Sequence, residues 1–427
     1  MIEGGGLRRA LLSTVAVAVV VVGAPSAVAA DVQSQQWYLD AMHADEIWKT
    51  TTGKGIKVAL IDTGVNSSTP SLQGQVLKGL DAAEADGDET DDYTGHGTTM
   101  AELIVGTGKG GGLKGLAPGA KVIPYRVSNT QLQNEQAVNA FDMQEAIKAA
   151  ADSDARIINV SFGSEYYNED IREAVQYAHG KGKLLFASVG NEAKEGNKKT
   201  YPAAYPEAIA VAATDQNGVV EETSQHGDYV DIAAPGADIP GWCDKSFKSY
   251  CTAGGTSNAS AIASASAALI WSAHPDWTGN QVLRVMFESA ARSDDWKPGT
   301  VSTYLGHGIV RPNANISRGE GKPGDPNISP LTNKPTGGAA GTTPSATASA
   351  SASASSGTST TDPSATASAQ APDGKQTSDA PVAGSTESAA AAADGGGNTG
   401  LVIGIAAAAV VVLAAAGVVL ARRRRSV

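Results

Sequence analysis

Three polar residues in this sequence stand in settings suited to nucleophilic acyl transfer: Asp62, His96 and Ser257. Ser257 follows Gly254-Gly255-Thr256, and a run of small residues from Ala259 to Ala265 comes after it. That run reads as a buried helix with the serine at its N-terminus, where unpaired N–H groups and the positive dipole end would stabilise an oxyanion. A serine in this place can simply cap the helix, so its upstream partners decide the matter. His96 lies between Gly95 and Gly97 at the start of a second small-residue helix. Asp62 closes the strand-like stretch Lys57-Val58-Ala59-Leu60-Ile61 and precedes Thr63-Gly64. Asn191 ends another apolar stretch, after Ser188-Val189-Gly190. In such a set Ser257 attacks a carbonyl, His96 takes and returns the proton, and Asp62 fixes the imidazole tautomer. The Asn191 side-chain N–H, with the Ser257 backbone N–H, binds the oxyanion.

Other chemistries fit less well. Asp62-Thr63-Gly64 also matches an aspartic-protease signature, but that mechanism needs a second such carboxylate. No second Asp-Thr-Gly or Asp-Ser-Gly occurs. The other five histidines, His43, His179, His226, His274 and His307, lie in loop or helix-end contexts and read as surface or structural groups. The acidic stretch Asp86 to Asp92 lacks the glycine placement of an EF-hand and reads as a solvated loop, with calcium as the alternative. No metal site and no required cofactor are expected. A net charge of −12 argues against a nucleic-acid partner. Cys243 and Cys251 are the only cysteines, and in an exported chain such a pair reads as a disulfide.

The elements that would hold these residues alternate. Strand-like runs at 57–61, 122–127, 156–162, 184–189, 209–213 and 229–233 are interleaved with helical patterns at 137–151, 170–179, 257–273 and 281–291. In the first of those helices Phe141, Ala146, Ile147 and Ala150 are assigned to one face. This alternation predicts an α/β fold with a mostly parallel sheet covered on both faces. Residues 1–30 have the charged start, apolar core and Ala27-Val28-Ala29 cleavage pattern of a signal peptide. Residues 31–50 form an aromatic extension expected to wrap on the surface of a domain spanning 51–316. Residues 317–398 are a low-complexity linker expected to be disordered. An apolar run within 399–421 is long enough to span a bilayer, and the basic tail 422–427 places the C-terminus in the cytoplasm with the rest outside.

The stretches VALIDTGVN, GHGTTMAELIVG, INVSFGS, ASVGNEA, VDIAAPG and GGTSNAS resemble the subtilisin-like serine proteases, in that family's order. The resemblance implies a three-layer α/β sandwich and a protein or peptide substrate. It implies that Ser161, Phe162 and Gly163 pair with an extended substrate and that Ser188, Val189 and Gly190 line the pocket before the scissile bond. Glu192 beside that pocket would favour a basic or polar side chain. The order of signal peptide, protease domain, stalk and membrane helix is similar to the mycosins, which implies a partner in a type VII secretion membrane complex. Departures are Asn258 and Ala261, where the family usually has Met and Pro, and Ile262-Ala263 in place of His-Val. The extension leaves no room for a folded inhibitory prodomain. A non-catalytic scaffold on the same fold is the competing class.

Overall fold

The computed structural model describes residues 32–83, 85–127, 140–297 and 299–336. Seven strands form one sheet: β1 (Lys57–Asp62), β2 (Leu80–Asp81), β3 (Lys121–Arg126), β4 (Ile157–Val160), β5 (Leu184–Ser188), β6 (Ile209–Thr214) and β7 (Ile232–Pro235). Their order is β2-β3-β1-β4-β5-β6-β7, and every pairing is parallel. Parallel sheets survive only when both faces are covered, which is why the interiors of these strands are mostly apolar and buried. Along β1, Val58 and Leu60 enter one core while Ala59 and Ile61 enter the other.

On the first face lie α3 (His96–Val105), α6 (Thr256–Ala273) and α7 (Gly279–Glu288); on the second lie α4 (Ala140–Asp152) and α5 (Glu169–Gly180). The architecture is therefore a three-layer sandwich, as expected. Helix α6 packs directly across β4 to β7. Its alanines and serines permit that close approach, and its hydroxyls need buried acceptors. Asn159 on β4 supplies one: its Oδ1 accepts from Ser260 Oγ at 2.9 Å and Ser264 Oγ at 3.0 Å. An antiparallel hairpin, β8 (Ile239–Trp242) and β9 (Tyr250–Ala253), precedes α6.

Three expectations change. The extension does not only coat the surface: α1 (Trp37–Ala41) and α2 (Ala44–Ile47) bury Tyr38 and Ile47 completely in the first core. Gln36 fixes them by accepting from Lys114 N and donating to Lys114 O, each at 2.8 Å. Phe141 is 61% exposed rather than packed with Ala146, Ile147 and Ala150. At 100° per residue it falls on the opposite side of α4, and Met143 takes the buried place. After α8 (Pro312–Arg318) the chain still lies on α7, where the linker was expected from residue 317. Asn280 Nδ2 donates to Pro326 O and Arg284 Nη2 to Ile328 O, both at 2.9 Å. Among the described residues no helix is long and apolar enough to cross a membrane. The signal peptide, most of the linker, the apolar run and the basic tail lie outside the described residues.

Candidate active site

β1, β4 and β5 all end at the carboxyl edge of the sheet, where ligand crevices form in open α/β folds. Asp62, the last residue of β1, is fully buried. Its Oδ1 lies 2.7 Å from His96 Nδ1 and accepts from Thr63 N at 2.8 Å. With Nδ1 donating to the carboxylate, the Nε2 of His96 carries the lone pair. The contact depends on Gly97, because a Cβ there would lie 2.1 Å from Gly64 O. The start of α3 thus presses on the turn after Asp62.

A second carboxylate lies behind this pair. Asp92 Oδ1 accepts from Gly95 N at 2.9 Å and Thr63 Oγ1 at 2.9 Å. Its Oδ2 accepts from Thr98 N at 2.8 Å and Thr98 Oγ1 at 2.6 Å. Asp92 therefore supplies the cap that Gly95 lacks. Burial opposes the imidazolium, but the contacting Asp62 carboxylate and the nearby Asp92 more than offset it, so the His96 pKa is raised above its ordinary value.

Ser257 is the second residue of α6. Its hydroxyl donates to Ser161 O at 3.1 Å, and no hydrogen bond joins it to His96. Asn191 Oδ1 accepts from Thr256 N at 2.9 Å and Thr256 Oγ1 at 3.1 Å, which leaves the amide N–H groups for a ligand. These groups face a cleft of about 460 Å³. Ser161, Phe162 and Gly163 form one wall, and Ser188, Gly190, Asn191 and Glu192 the other, with Thr200 and Gln225 also lining it. The Phe162 ring stands 5.7 Å from the His96 ring. Gly190 is held at φ +101°, with Gln225 Oε1 1.5 Å from where a Cβ would be.

Residues 53–308 match the family model described as the subtilase family. The chain belongs to the subtilase family. Thermitase of Thermoactinomyces vulgaris is 36% identical over 230 residues, which cover 53% of this chain and 78% of thermitase. A thermophilic serine proteinase of Bacillus sp. (strain AK1) is 35% identical over 281 residues, covering 65% of this chain and 66% of that protein. Among solved structures, MycP3 protease from the type VII (ESX-3) secretion system aligns at TM-score 0.56 and 27% identity, covering 66% of this chain and 87% of MycP3. MycP1 from Mycobacterium smegmatis aligns at 0.56 and 25%, covering 66% and 84%. This subtilase is accordingly a serine protease acting on protein or peptide substrates.

Within this subtilase, one residue assigned to the cleft does not reach it. Val189 is buried in the second core, because alternation along the chain turns it away from the face shared by Ser188 and Gly190. Cys243 and Cys251 are joined as a disulfide. His179, His226, His274 and His307 make structural contacts with Ser329, Tyr304, Trp277 and Phe287 respectively. The acidic loop is not simply solvated. Arg126 is wholly buried, holds Asp81 bidentately at 2.8 and 2.6 Å, and donates to Ala85 O at 3.0 Å and Asp86 O at 3.2 Å. That pins the loop so that Asp92 reaches α3. Sequence reasoning missed Asp92, Arg126 and Asn159; only Asp92 carried a signal, as a capping-type carboxylate just before Gly95-His96.

Proposed function

We propose that this subtilase is a membrane-anchored extracellular endopeptidase that cleaves peptide bonds through an acyl-enzyme, in association with a type VII secretion complex. The observation that carries the catalytic part is the 2.7 Å Asp62–His96 contact beside the cleft into which α6 presents Ser257. Rotation of the Ser257 hydroxyl from Ser161 O toward His96 Nε2 starts the reaction. His96 removes the proton as Oγ attacks the scissile carbonyl, and Asp62 stabilises the imidazolium that forms. The oxyanion is met by the Asn191 amide and the Ser257 N–H. Imidazolium then protonates the leaving amine, and water repeats the sequence on the acyl-enzyme. Each step uses groups of this chain or water, so the reaction as proposed requires no cofactor.

The substrate lies extended along Ser161-Phe162-Gly163 as an added strand. The side chain before the scissile bond enters beside Ser188 and Gly190. Glu192 and Glu195 line that pocket, whereas its one lysine, Lys198, pairs with Glu165; a basic side chain suits this balance. Membrane anchoring rests on the apolar run at 401–421 and the four arginines after it. Likeness to the MycP structures supports the secretion setting.

The test is labelling of the full chain by a fluorophosphonate probe together with casein cleavage. Ser257→Ala should abolish labelling and lower kcat by about 10⁵- to 10⁶-fold. A folded wild type that neither labels nor cleaves, with the secretion complex present, would move the assignment to the scaffold class. The acid limb of kcat/KM should lie above the ordinary histidine value of 6.5, because His96 must be neutral and its pKa is raised. Removal of residues 399–427 should release the protein from membranes.

A further inference from the structure

The hairpin of β8 and β9 touches both halves of the proposed machinery. Its strands pair Gly241 with Cys251 and Trp242 with Tyr250, and the Cys243–Cys251 disulfide closes it. From Ala253 only Gly254 and Gly255 separate it from Thr256 and Ser257. On its other side it lies against the start of α3. Trp242 N donates to Thr99 Oγ1 at 2.9 Å, and Thr99 Oγ1 donates to Gly95 O at 2.7 Å, one residue before His96. A Cβ on Gly95 would meet Asp244 O and Trp242 Cβ, each at 3.1 Å.

A second tie runs to the middle of α3. Tyr250 OH donates to Glu102 Oε2 at 2.8 Å, while Thr69 Oγ1 donates to Oε1 at 3.0 Å. The Tyr250 ring stacks on Trp242 at 3.9 Å. Glu102 is fully buried. Such a carboxylate is costly to bury and is held only where its partners reach it. Cys251, by contrast, is exposed and open to a reductant.

We infer that the disulfide-closed hairpin positions the catalytic base, with Tyr250 and Glu102 as its positioning residues, and that reducing the Cys243–Cys251 bond releases that hold. The inference rests on the proteolytic reading of Asp62, His96 and Ser257. Reduction by a dithiol transfers two electrons: the S–S bond breaks, two thiols form, and the dithiol leaves as its own disulfide. The hairpin then no longer braces Gly95, and the His96–Asp62 contact lengthens. The charged groups that raise the His96 pKa are Asp62 from β1 and Asp92 from the loop before α3. A longer contact with Asp62 lowers that pKa toward its ordinary value.

The test uses the full chain in detergent, with peptide cleavage followed across pH. Dithiothreitol should lower kcat/KM about tenfold, as expected for a small displacement of a reacting group. The acid limb should move to lower pH, and reoxidation should restore both. Tyr250→Phe, which keeps the ring stack and the disulfide, should move the acid limb the same way. Activity indifferent to reduction and to Tyr250→Phe would overturn the role of the hairpin while leaving the protease reading intact. So would a loss of activity with the acid limb unmoved, which is what mere unfolding produces. No labelling or cleavage by the oxidised wild type would overturn both readings together.

Discussion

At the start of α3 a buried carboxylate, Asp92, takes up the backbone donors of Gly95 and Thr98. At the start of α6 only Thr256 N is taken, by the neutral amide of Asn191, and the Ser257 N–H finds no acceptor among the described residues. Both helices begin after a glycine that offers no side-chain cap. The same local feature, a positive helix end with unpaired N–H groups, is thus prepared for two opposite tasks. On the proposed mechanism a base must hold a proton at the first, and there the chain adds an anion that raises the affinity of His96 for it. At the second the same mechanism forms an oxyanion, and there the donors are left open. Helix N-termini at one cleft can therefore be sorted by whether their donors are already occupied.

The comparison breaks most sharply at Asp92. Asp92→Asn puts an amide N–H among groups that donate, leaving buried donors unpaired. We expect a stability loss of about 4 kcal/mol by denaturant unfolding. In protein that remains folded, the acid limb should move to lower pH. An unchanged limb would show that Asp92 serves α3 alone and not the imidazole. The other terminus responds mainly in the barrier, with a smaller stability loss from the Thr256 donors that lose Asn191 Oδ1. Asn191→Ala removes an exposed amide and one oxyanion donor, so kcat should fall by about 10²- to 10³-fold with KM little changed. A rise in KM at constant kcat would mean that Asn191 binds substrate rather than the oxyanion.

How much of this was legible follows from the range of each interaction. Asp62, His96, Ser257 and Asn191 stood out because each ends or begins an element next to glycine or a small residue. Strands β1 and β3 to β6 were readable as apolar runs. The expected strand at 229–233 instead forms as Ile232–Pro235, because the segment entering it turns at Gly227. The hairpin was invisible: Pro240 and Gly241 break any alternation, and β9 is mostly exposed, so no apolar face marks it. Asn159 and Arg126 were equally hidden. Asn159 meets Ser260 across 101 positions and Arg126 meets Asp81 across 45. Nothing local distinguishes a buried asparagine in a strand from an exposed one. Val189 was misplaced for a simpler reason: a motif was carried over as a block, although the residue directly after β5 keeps that strand's alternation and is buried on the other face.

The smallest effect expected concerns Glu102, the buried carboxylate of α3 itself, and it sharpens the contrast with Asp92 in the loop that caps that helix. Asp92 is surrounded by backbone and hydroxyl donors, whereas Glu102 has Tyr250 and Thr69 as its hydrogen-bond donors. Burial pushes the Glu102 pKa up from 4.5 to about 7, and the hydrogen bond from Tyr250 only partly offsets that. The native protein therefore keeps a proton on Glu102 that the unfolded chain releases above its ordinary value. The stability this contributes is complete below about pH 4.5 and is lost as pH rises through about 7. Glu102→Gln cannot titrate. Its unfolding free energy relative to wild type should rise across that window by about 2 kcal/mol, less than the full shift implies because a charged native Glu102 relaxes toward its donors. Urea unfolding of both proteins at pH 5 and pH 8 measures this directly. A constant difference between them would mean that Glu102 is ionised throughout, and that Tyr250 and Thr69 solvate it as fully as the backbone donors solvate Asp92.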